Sequence, residues 1–131
     1  MKKAKRYDVS GMVEAQFERG SRRKVLKNLL GIKSKREMDV AEAKALKRTV
    51  DELVRTYDKD HRFTAVDICN MHKTWLREIY AWAGKYRQIN MSKEDITLAA
   101  ANQIPLLMTT FEEGPLRRHT PCNFAQSERL I

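Results

Sequence analysis

The sequence predicts a mostly α-helical domain interrupted by a single β-hairpin. Three observations carry this. Two helix starts are written in capping residues, at Ser34 and Thr64. Two short runs, residues 87–91 and 96–99, flank the polar stretch Ser92, Lys93, Glu94 and Asp95, the pattern of a hairpin. Apolar residues make up 42% of the 131, so a single core is affordable and no run approaches membrane-spanning length.

The elements follow in order. Residues 1–6 form a basic tail. Ser10 can cap a short helix reaching to about Phe17, with Glu14 in its first turns. Arg19, Gly20 and Ser21 read as a turn. Residues 25–30 are a short apolar patch before Gly31, which suits a helical turn closed by a Gly C-cap. Ser34 opens a long helix, with Glu37 three residues on as in a capping box. Its apolar positions Leu46, Val50, Leu53 and Tyr57 share one face, and Asp58, Lys59 and Asp60 end it. Thr64 starts the next helix, with Asp67 three residues on. Ile68, Met71, His72, Trp75 and Ile79 form its stripe, and Gly84 follows. After the hairpin, Ile104, Leu107, Met108 and Phe111 mark a third helix. Pro105 fits its first turn, and Gly114-Pro115 stops it. Residues 116–122 then form a basic, Pro-containing loop.

The net charge of +9 is unevenly placed. Residues 1–36 hold twelve Lys or Arg against three acids, and the remaining residues balance at fourteen of each sign. The imbalance makes the N-terminal arm either a solvated tail or a contact for nucleic acid or an acidic protein. The linear sequence shows no aromatic interleaving of the sort that single-strand binders use for base stacking. Cys69 and Cys122 lack metal-ligand spacing, no His-Glu-x-x-His pattern occurs, and the basic N-terminal residues lack the apolar h-region expected of a secretory signal. A reducing cytoplasm is the expected compartment, without membrane or metal.

Isolated hairpins are marginal in water, so this one must lean on helices or grip something. An exposed strand edge suits the capture of an extended segment. His72, on an apolar stripe beside Trp75, reads as a structural histidine, and Tyr80 and Trp82 as core anchors.

One block carries a resemblance. Tyr80, Trp82, Ala83, Gly84 and Arg87, ahead of the hairpin, resemble the corresponding segment of the Fic (filamentation) family. Residues 25–32, the helix around His72, and Thr120-Pro121-Cys122 extend the similarity from Val25 to the end of the chain. The resemblance implies a Fic-like helical bundle with a hairpin flap, preceded by an arm over residues 1–24. It implies a protein AMP transferase, moving AMP from ATP with Mg2+ to a protein hydroxyl. Ile89, Asn90, Met91, Ser92 and Ile96 would then dock a protein substrate segment. Tyr80, Lys93, Thr97 and Leu98 would lie near the nucleotide. Ser10 and Glu14 resemble the family's inhibitory motif, with Ala15 departing from its last position; read as residues alone they are a capped helix with a solvent-facing Glu.

The family's catalytic signature is His-Pro-Phe, an acidic residue, then Gly-Asn-Gly-Arg. None of His61, His72 and His119 begins it, and the five glycines are too scattered to form its loop. Asn123 and residues 127–131 read either as a short terminal helix or as the start of a longer one. The resemblance favours the second, which gives the expectation of a truncated domain with an exposed apolar face and no transferase activity of its own. The alternative is a non-catalytic protein- or nucleic-acid-binding module.

Overall fold

The computed structural model describes residues 16–93 and 95–122, with the side chain of Lys93 left aside. The chain is mostly helical. Helix α1 spans Lys35–Thr56 and α2 spans Ala65–Leu76. A two-residue strand pair follows, β1 Ser92–Lys93 and β2 Ile96–Thr97. Helix α3 covers Ile104–Phe111, entered through a 3-10 turn at Ala101–Gln103. A π-helical turn, Glu112–Leu116, leads into the short α4, Arg117–His119.

Both capped starts are present. Ser34 accepts a hydrogen bond from the Glu37 amide, and Thr64 and Asp67 exchange both bonds of a capping box. The α2 start is further held from afar, where the Ala65 amide donates to Glu112 Oε1 at 2.6 Å. Pro105 sits in the first turn of α3.

The face of α1 that enters the core is not the predicted apolar stripe. Met38, Ala45 and Thr49 are buried, whereas Leu46 is 42% and Val50 48% exposed. The two sets lie roughly a quarter turn apart on the helix. Glu42, on the same side as the buried set, explains the choice. Its carbonyl accepts from the Trp75 indole at 2.9 Å and its carboxylate accepts from the Tyr80 hydroxyl at 2.7 Å. The small side chains of Ala45 and Thr49 let α2 approach, and Thr49 Oγ1 is satisfied by the Ala45 carbonyl. The Leu46 and Val50 face is thereby left to solvent.

Three local expectations are corrected. Gly114-Pro115 does not stop the third helix. A proline has no amide to offer the regular ladder, and the chain absorbs the loss by widening into a π turn and continuing. Residues 25–30 form no helical turn: Leu26 is bridged antiparallel to Phe17 and residues 29–30 make a non-helical turn before Gly31, so the helix expected to reach Phe17 does not include it. Asn28 supplies what a helical turn would have: its side chain bonds the carbonyls of Leu26 and Ile32 and accepts from the Ile32 amide. The hairpin, finally, pairs later than its apolar runs suggest, beginning at Ser92 rather than at Arg87.

The core gathers Val25, Met38, Ala45, Leu76, Ile79, Tyr80 and Ala83, with Trp75 and Trp82 packed against it. Helix α2 ends at Leu76, so Ile79 and Tyr80 reach the core from the turn beyond it.

Candidate functional site: the hairpin and the groove at its foot

The chain leaves α2 through a tight turn. The amides of Ile79 and Tyr80 both donate to the Leu76 carbonyl, and the Ile79 carbonyl accepts from Leu29. Tyr80 is buried, its ring stacked on Trp82 at 4.5 Å. Burial, then the neighbouring Glu42 carboxylate, push the Tyr80 hydroxyl far above its ordinary pKa, so it stays a protonated donor. The ring and the hydroxyl of this residue, expected near a nucleotide, are thus engaged by the core.

Gly84 closes the turn at φ +83°, where a side chain is disfavoured. A Cβ there would lie 2.6 Å from Lys73 Cβ and 3.1 Å from the Cys69 carbonyl, so the turn lies directly on α2. The Gly84 amide donates to His72 Nδ1 at 2.9 Å. That acceptor requires Nδ1 to be unprotonated, and burial holds the His72 pKa below its ordinary value. The sequence-based reading of His72 as structural agrees with this contact.

Arg87 then ties the hairpin root. Its guanidinium donates to the Ile89 carbonyl at 2.6 Å on one flank and to the Ala99 carbonyl on the other. Asn90 Oδ1 accepts from the Ala101 amide at 2.8 Å, satisfying a free donor at the start of the helical segment that leads into α3. Ile89 is buried and anchors this root.

The ladder pairs Ser92 with Thr97 and Lys93 with Ile96, and the Leu98 amide donates to the Met91 carbonyl at 3.0 Å. This alternation makes Ser92 and Thr97 a non-hydrogen-bonded pair, so the backbone N–H and C=O of Thr97 point away from the ladder. Ile96 and Leu98, two residues apart, share one face of β2, with Met91 opposite Leu98. All three are exposed, Ile96 by 65%. The predicted docking residues therefore divide: Met91 and Ile96 lie outside, Ser92 is half-buried, and Ile89 and Asn90 hold the root. Of the residues expected near a nucleotide, Thr97 and Leu98 are exposed and Lys93 lies in the ladder. Ser10 and Glu14 lie outside the described residues.

An open groove of about 540 Å³ runs along the foot of the hairpin. Lys85, Tyr86, Arg87 and Gln88 form one wall, and Ala101, Asn102 and Pro105 the other. Its volume falls within the range of small-ligand sites. The Tyr86 hydroxyl is pushed up by burial, then by the neighbouring Cys69 thiol. Among the described residues, no three of His, Cys, Asp or Glu converge as a metal site, and no helix is long and apolar enough to cross a membrane.

Sequence reasoning missed Glu42 and Glu112, which fix the site's supports. Nothing in the linear pattern marks them, since each acts on an amide or hydroxyl chosen by the fold. Comparison with models of known protein families and with curated proteins finds no match to this chain.

Proposed function

We propose that this chain is a Fic-type scaffold whose hairpin docks an extended segment of another protein by strand addition, and that it transfers no AMP by itself. The observation that carries the docking is the outer edge of β2. Thr97 directs a backbone donor and acceptor outward, and the apolar side chains of Ile96 and Leu98 flank it. An added strand would gain main-chain hydrogen bonds at Thr97 and an apolar surface beside it. The clasp of Arg87 on both flanks supports the reading, since it holds the edge in one place before any partner arrives. The family name itself rests on the motif residues Tyr80, Trp82, Ala83, Gly84 and Arg87.

ATP and Mg2+ are implied by the resemblance alone, and the sequence lacks the Gly-Asn-Gly-Arg loop that would hold the phosphates, which supports the reading that this chain transfers no AMP by itself. Incubation with ATP labelled at the α-phosphate and a mixture of acceptor proteins should leave them unlabelled; transfer of label would overturn this half of the proposal.

Docking is tested with peptides selected from a displayed library against the full chain. Thr97→Pro removes the outward N–H without removing a ladder bond. It should weaken the selected peptides at least tenfold while leaving the fold's circular dichroism unchanged. Undiminished binding by T97P, or a library that yields no binder, would refute strand addition at this edge.

A further inference from the structure

We infer that the loop between Phe17 and Leu26 is a contact surface for single-stranded nucleic acid. The linear sequence presents this region as part of a basic arm; the structure makes it a fixed object. The Phe17–Leu26 bridge closes its base. The Glu18 amide donates to the Val25 carbonyl at 2.7 Å and the Lys27 amide to the Gln16 carbonyl at 2.9 Å. Inside the loop, the Ser21 amide donates to the Glu18 carbonyl and the Lys24 amide to the Ser21 carbonyl. Ser21 and Val25 are turned into the protein at 4% and 2% exposure, and the Ser21 hydroxyl donates to the Val25 carbonyl.

With those two residues turned in, the cations are turned out. Arg19, Arg22, Arg23, Lys24 and Lys27 are all exposed. The Lys33 side chain lies against Gly20 and adds a further positive charge. The nearest acid in sequence, Glu18, is engaged with the Asn28 amide. Among the described residues, none of these cations takes part in an ion pair. Arg22 and Arg23 both hold the left-handed backbone region, at φ 57° and 63°. A non-glycine residue is disfavoured there, and two in succession persist only because Ser21 and Val25 fix the backbone on either side. The outcome is two successive exposed arginines, of which Arg23 carries its guanidinium back over the Phe17 ring.

An acidic peptide and a phosphate chain would both be drawn to such a charge. Phe17 favours the second. Its ring is 41% exposed at the base of the loop, with the Arg23 guanidinium 5.4 Å from its centroid. The guanidinium covers one face of the ring, and a base stacked on this cation–aromatic pair would leave its phosphate within reach of the exposed arginines and lysines, which is how single strands are held without sequence preference. A poly-acidic peptide has no use for the ring. The surface is separate from the hairpin and stands whether or not the docking proposal does.

The test uses the full chain, so the Lys and Arg residues of its first fifteen positions are constant throughout. Anisotropy of a fluorescein-labelled oligothymidine is titrated across salt concentrations. Affinity should fall steeply with salt. The double substitution Arg22→Gly with Arg23→Gly suits the left-handed backbone, so it removes two charges without threatening the fold. It should weaken binding at least tenfold and lower the salt slope by about 1.4, two phosphates at roughly 0.7 each for a single strand. Phe17→Leu keeps an apolar side chain in the bridge; it should weaken oligothymidine several-fold and leave poly-glutamate binding unchanged. No binding at low salt, poly-glutamate bound as tightly as the oligonucleotide, or F17L bound as well as the parent chain would each overturn the inference.

Discussion

The turn at residues 80–84 and the hairpin at 91–98 are neighbours in sequence and opposites in construction. The turn is over-determined. Tyr80 is fixed by Glu42 and Trp82, the Gly84 amide by His72, and the Gly84 α-carbon by the backbone of α2. Among the described residues, Arg87 and Asn90 tie the hairpin at its root, while its strands are two residues long and the apolar side chains of Met91, Ile96 and Leu98 face solvent. Stability is therefore concentrated in the turn and recognition is left to the hairpin. An element that must accept a partner's strand cannot spend its edge on its own core.

The largest expected effect comes from closing the gap between turn and helix. Gly84→Ala forces a Cβ into Lys73 at a backbone angle that alanine disfavours, and should cost about 3 kcal/mol, the sum of a left-handed penalty and overpacking. Gly31→Ala is the control: φ is +69°, but nothing lies within 4 Å, so about 1 kcal/mol is expected. Urea unfolding of the two variants should separate them; equal losses would show that the turn is not packed on α2 as described.

Ile79 and Ile96 sharpen the comparison. Ile79, 3% exposed in the core, should lose about 3 kcal/mol on substitution by alanine. Ile96→Ala should change stability by no more than about 0.5 kcal/mol, since most of its surface is already in water. A large loss at Ile96 would mean that the hairpin is part of the core after all.

The smallest effect is a pH dependence carried by His72 beneath the turn and, at lower pH, by Asp67 at the start of α2. His72 has a folded pKa below its ordinary 6.5, so between the two values the unfolded chain binds more protons. Its contribution is complete above pH 6.5 and is lost as the pH falls below that value towards the folded pKa. Urea midpoints near pH 7.5 and pH 5.5 should differ in the parent chain and converge in His72→Gln. Asp67, whose carboxylate is held below its ordinary 3.8 chiefly by His61 and the Thr64 amide against the opposing pull of burial, acts lower. Its contribution is present above pH 3.8 and disappears as the pH drops through the folded value. A midpoint that rises on acidification through pH 6 would contradict the role given to His72.

What could be read without coordinates was whatever a few adjacent residues settle. Ser34 and Thr64 cap helices because a short oxygen-bearing side chain reaches an amide three residues on, and Pro105 suits a first turn that needs no amide. The hairpin's place was legible for the same reason; its length was not, because Arg87 and Asn90 divert the preceding run into the root. Gly114-Pro115 looked like a stop because a stop and a π turn begin with the same missing amide.

The amino-acid order alone determined the helical class, two capped starts and a strongly basic first third. The tertiary structure decided which face of α1 is buried, which carboxylate holds Tyr80, and which cations stand together beside an aromatic ring. Those outcomes depend on groups far apart in the chain meeting in space. Glu42 selects a helix face only when Trp75 and Tyr80 arrive beside it, and Arg23 meets Phe17 only when Ser21 and Val25 fold the loop between them.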